Sequence, residues 1–113
     1  MIDDPDKTSR LFRALKAALP VETILGASLT ETLSKEGSGI AIPRRCNVLD
    51  VFYTGEEGGI LCALEIPGPA TNAAFYVSIT HLIFERKSPL FSQIDAYQRH
   101  RVKKLRQQEM RLY

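Results

Sequence analysis

Val48-Leu49-Asp50-Val51-Phe52-Tyr53, then Thr54-Gly55-Glu56-Glu57-Gly58-Gly59, then Ile60-Leu61-Cys62-Ala63-Leu64-Glu65-Ile66 reads as a β-hairpin. The flanking runs are rich in β-branched and aromatic residues, and the glycines between them supply the backbone freedom that a tight reversal needs. Pro67-Gly68-Pro69 stops the second run, and residues 74–84, after a loop at 70–73, read as a third strand. Short connections favour neighbours in space, so the expected sheet is a three-stranded antiparallel meander.

Side chains alternate across a strand, which sorts the sheet into two faces. Leu49, Val51 and Tyr53, then Ile60, Cys62, Leu64 and Ile66, then Phe75, Val77, Ile79 and Ile83 fall on one apolar face, the expected core. The other face carries Asp50, Glu65, Ser78 and Thr80, but also Val48, Phe52, Leu61, Tyr76, Leu82 and Phe84. That is too apolar for open water, so the N-terminal helices or a second subunit are expected to cover part of it.

Outward from the sheet the period changes to helical. Residues 1–7 are polar, contain Pro5 and read as a frayed lead-in. Thr8 or Ser9 suits an N-cap for a first helix whose apolar stripe is Leu11, Phe12, Leu15, Ala18 and Leu19. Pro20 starts a second helix or kinks the first, and Ile24, Leu25, Ser28, Leu29, Thr32 and Leu33 give its face, with Gly37 as its C-terminal cap. Residues 40–43 read as a short extended piece.

Ser88-Pro89 is a helix start, and no Gly or Pro follows, so a helix is expected over 88–113. Leu90, Phe91, Ile94, Tyr97, Val102, Leu105 and Leu112 collect in one arc for burial against the sheet. The fold class is therefore α+β: N-terminal helices, the meander, and a long C-terminal helix packed on one sheet face. At 113 residues with 44% hydrophobic and 25% charged content, one domain over 1–113 accounts for the chain.

Charge is unevenly distributed. Residues 85–113 carry eight Lys and Arg against three acids, whereas residues 1–84 carry seven against ten, so a basic end is joined to an acidic body. Arg99, Lys103 and Arg106 share a helix stripe suited to nucleic-acid phosphates, and a solvated helix face also explains them. Arg101 falls within the apolar arc and needs an acidic partner, such as Asp50, Glu65 or an acid of another subunit, or exposure beyond the core. The distal helix is long enough to pack on a twin, which makes Arg101, Leu105 and Leu112, with Phe52 and Tyr76 of the outer sheet face, the candidate dimer contacts.

Catalytic signals are weak. His81, the sole histidine outside the basic helix, falls on the apolar side of the third strand, where it can serve as acid or base but more commonly completes a core. Cys46 and Cys62 read as buried free thiols, without a base placed beside either. No catalytic residue, cofactor or metal is assigned: the cysteines and histidines lack zinc spacing, and neither glycine-rich stretch opens a helix as a phosphate loop does. No apolar run spans a bilayer and the acidic start lacks a signal peptide's basic region, so a cytoplasmic protein without membrane contact is expected. The leading reading is a homodimeric interaction module. A nucleic-acid-binding accessory protein using the basic helix comes second, and an enzyme with a site near His81 third.

Overall fold

The computed structural model describes residues 3–36, 42–66 and 75–111. Its sheet contains the expected hairpin, with β2 (Arg45–Tyr53) antiparallel to β3 (Ile60–Leu64) and Val51 opposite Cys62. A single helical turn, α3 (Gly55–Gly58), makes the reversal, and Gly55 and Gly59 take φ of 86° and 65°. The Thr54 N–H and hydroxyl both donate to the Gly59 carbonyl, at 2.9 and 3.0 Å, and close the turn. β4 (Phe75–Ser78) pairs with β3, which completes the antiparallel order anticipated for these three strands.

A fourth strand enlarges that sheet. β1 (Val21–Ile24) pairs with Arg45–Val48 of β2, so the order is β1-β2-β3-β4, all antiparallel. The helix expected to start at Pro20 is thus a strand first. Val21, Thr23 and Ile24 are β-branched and the open edge of β2 offers them a ladder, which outweighs the helical spacing they share with Leu25, Ser28 and Leu29. A cis peptide joins Leu19 to Pro20. The helical part of that prediction survives as α2 (Ala27–Glu36). Its expected cap, Gly37, lies outside the described residues, as do residues 40–41 of the short extended piece.

The long third strand ends early. The Ser78 hydroxyl accepts from the Thr80 N–H, and Ile79–His81 form a 3-10 turn. The chain then reaches the free edge of β1, where Ile24 and Ile83 exchange backbone hydrogen bonds of 2.8 and 3.1 Å and the Thr23 hydroxyl donates to the Ile83 carbonyl. The segment after one edge strand therefore docks on the opposite edge, and the sheet is rolled around its core. Arg45 ties the same seam by pairing with Glu22 at 2.9 Å and with Glu85.

Two phase changes correct the predicted core face. A register shift between Val48 and Asp50 puts an extra residue into β2, so Val48 is 1% exposed and Leu49 is 48% exposed, the reverse of strict alternation. The 3-10 turn likewise puts Leu82 and Phe84 inside and leaves Ile83 and His81 exposed. Val51, Ile60, Cys62, Leu64, Phe75, Val77 and Ile79 are buried as expected, whereas Tyr53, expected with them, is 44% exposed at the end of β2.

The helices fill this rolled sheet. α1 (Pro5–Ala18) begins earlier than a Thr8 or Ser9 cap implies: Asp4 is the N-cap, its carboxylate accepting from the Asp6 and Lys7 N–H groups, and Pro5 occupies the first turn. Asp3 to Lys7, read as a lead-in, form this cap and first turn. β1 covers only half of β2, and α1 approaches the uncovered half, where Lys16 pairs with Asp50 at 2.6 Å. α4 (Phe91–Arg111) starts after a turn at Ser88 and buries Ile94 and Tyr97 in the same core as Leu11 and Leu15 of α1. The Gln98 amide donates to the Ile79 and Leu82 carbonyls at 2.7 and 2.8 Å, which fixes α4 across the 3-10 turn. Val102 departs from the expected arc, being exposed.

Candidate functional site

Of the apolar side chains anticipated on the outer sheet face, Phe52, Leu61 and Tyr76 remain there, while Val48, Leu82 and Phe84 are buried in the core. Phe52 and Tyr76, 40% and 56% exposed, meet edge to face with ring centroids 5.9 Å apart. Ladder register places Leu61 opposite Phe52 and Ala63 opposite Tyr76, so two aromatic rings and two aliphatic side chains form one patch across β2, β3 and β4. Lys16 lies 5.5 Å from the centre of the Phe52 ring while pairing with Asp50, whose carboxyl this lysine holds below the ordinary aspartate range. The α1 helix thus borders the patch without covering it.

Arg99, Lys103 and Arg106 do share one exposed stripe of α4, around Val102. Arg99 pairs along the helix with Asp95 at 3.1 Å, whereas Lys103 and Arg106 make no ion pair among the described residues. Leu105 is half-buried and Leu112 lies outside the described residues.

Arg101 finds its acid within the chain. Its guanidinium donates to Asp3 at 3.0 Å, both side chains being 2% exposed, so this partner is neither Asp50 nor Glu65. The other Asp3 oxygen accepts from the Tyr53 and Tyr97 hydroxyls at 3.0 and 3.2 Å, and the Tyr97 oxygen in turn accepts from the Ile60 N–H. Burial, then the Asp3 charge, push the Tyr97 hydroxyl well above the usual tyrosine range; burial likewise raises that of Tyr53. Gly59 closes over this cluster, and a β-carbon there would fall 2.7 Å from Arg101 Cζ and from the Tyr97 oxygen. The role of Asp3 was hidden from sequence because its partner is 98 residues away.

Beside this network α1 and α4 enclose a cleft of about 420 Å3. Lys7 and Arg10 line it from α1; Ser92, Gln93 and His100 line it from α4; Leu11, Ala96 and Tyr97 contribute its apolar surface. Asp4 is the acid of this lining, held below the usual carboxyl range by the Lys7 N–H and then the Asp6 N–H. Helical spacing makes each wall legible, since 7 and 10 share a face of α1 and 93, 96 and 100 a face of α4. Their juxtaposition depends on how the helices pack.

His81 lies exposed in the 3-10 turn, a correction to its predicted place on the apolar strand face. Cys46 and Cys62 are free and buried; burial pushes the Cys62 thiol up to about 12 and, with Glu65, raises that of Cys46. Among the described residues no group of three or more His, Cys, Asp and Glu is arranged to hold a metal, and no helix is long and apolar enough to cross a membrane. No family model matches the chain, and neither a curated protein nor a solved structure does.

Proposed function

We propose that this chain is a small cytoplasmic interaction module that self-associates through the outer face of its sheet. The observation that carries the reading is the exposed Phe52–Tyr76 pair, standing on an aliphatic sheet surface where a solvated face would be polar. Aromatic side chains bring large apolar area at low entropic cost, which suits the centre of an interface. A second copy is the favoured occupant because the rim carries Lys16 and Asp50 side by side, so a two-fold axis passing between them sets each charge against its opposite in the other copy. The buried free thiols accord with a reducing compartment.

Light scattering at high micromolar concentration is expected to give twice the 12.7 kDa chain mass, and Phe52→Glu with Tyr76→Glu to return it to the single-chain value. A clean monomer of the unmodified chain removes this reading. The second reading, nucleic-acid binding by α4, draws on the Arg99, Lys103 and Arg106 stripe. A monomer that binds oligonucleotides with steep salt dependence, lost when these three become Gln, would transfer the function there.

A further inference from the structure

We infer that the cleft between α1 and α4 binds a small organic phosphate, a function separate from self-association at the outer sheet face. At about 420 Å3 the cleft falls within the size range of small-molecule sites. Two elements build its walls, so a ligand inside is held from both sides, whereas the Arg99–Lys103–Arg106 stripe belongs to α4 alone. Lys7 and Arg10 bring fixed positive charge and donors from α1, while Gln93 and His100 bring polar groups from α4.

The charge balance favours phosphate. Lys7 and Arg10 form no ion pair among the described residues, while Asp4, which caps α1 through the Asp6 and Lys7 N–H groups, stays ionised in the lining and leaves the two cations in excess of one acid. With Asp4 turned to the α1 N–H groups, a phosphate monoester, carrying about −1.5 to −2 near neutrality and three acceptor oxygens, can draw on both cations at once, as a single carboxylate cannot. The arginine fork suits two phosphate oxygens, and the lysine adds a point charge. Leu11, Ala96 and the Tyr97 ring offer an apolar surface for the organic part. Tyr97 is held from behind by Asp3 and the Ile60 N–H, so that wall is ordered before a ligand arrives.

Isothermal titration of the full chain with phenyl phosphate tests this. One ligand per chain is expected, with phenol silent. Lys7→Gln and Arg10→Gln should each weaken binding about tenfold, as expected for removal of a charge-assisted contact. Ala96→Leu should weaken it by filling the apolar wall, and Arg106→Gln, outside the cleft, should leave it unchanged. All four variants should retain the circular dichroism and melting behaviour of the parent. No saturable binding, equal binding of phenol, or an Arg106→Gln loss as large as that of Arg10→Gln overturns the inference. Binding only to phosphatidic-acid vesicles, with phenyl phosphate inert, overturns it in favour of a membrane headgroup. The oligomeric state does not enter this readout, so the outcome stands whether or not the chain dimerises.

Discussion

Asp3 and Arg101 show how one residue pair constrains both ends of the chain. A buried pair costs desolvation on forming and is useful only when its remaining hydrogen-bonding capacity is met, which the Tyr53 and Tyr97 hydroxyls do for Asp3. Asp3→Asn keeps the shape and removes the charge, and is expected to destabilise the fold by about 3 kcal/mol. Urea unfolding of Asp3→Asn, Arg101→Met and the double variant should give a coupling of at least about 1 kcal/mol. Additive losses would show that the 3.0 Å contact carries no specific energy. The sequence made Arg101 conspicuous as a charge within an apolar arc. Asp3 was inconspicuous because an acid near a chain start is usually solvated.

At the scale of elements, the β2–β3 reversal is tied to α4 through Gly59. With φ 65° and ψ −145°, Gly59 lies in backbone territory that residues with a β-carbon avoid, and a β-carbon would also collide with Arg101 and Tyr97. Gly59→Ala is expected to cost about 3 kcal/mol, combining strain with overpacking, and to lower the melting temperature by about 10 °C or more. Gly55→Ala is the internal comparison: its φ is 86° but the added carbon meets nothing within 4 Å, so its loss should stay near about 1 kcal/mol. Equal melting of the two variants would show that the collision is relieved by small movements of α4. The glycines were legible as a turn, but only the packing of α4 distinguishes Gly59 from Gly55.

For the whole molecule, the buried titratable groups set an alkaline limit. The thiol of Cys62 ionises near 9.0 when unfolded and near 12 when folded, and the Tyr97 hydroxyl is raised from 10.0 in the same sense. Raised folded values mean that the unfolded chain loses these protons first, so the stabilisation is complete below pH 9.0 and is withdrawn as pH climbs towards 12. For Cys62 alone, three pH units correspond to about 4 kcal/mol. Denaturant unfolding from pH 8 to 12 should therefore show a steep fall, made shallower in Cys62→Ala; a flat profile would refute the assignment. Acid acts oppositely on Asp4, Asp50 and Glu85. Their lowered values help the fold above the ordinary carboxyl range, and that help is lost as pH falls through the folded values.

Alternation and turn chemistry in the sequence by themselves determined the α+β class, the β2–β3 hairpin, its pairing with β4 and the long α4, because each is encoded in residues close along the chain. Tertiary structure decided the rest. β1 became a strand because β2 offered an edge; the shift at Val48–Asp50 and the turn at Ile79–His81 reset which side chains face inward. The Asp3–Arg101 cluster and the cleft between Lys7, Arg10 and His100 exist only where α1 meets α4. Hydrophobic periodicity reports that a side will be buried and is silent on what buries it, since that partner arrives from the far end of the chain.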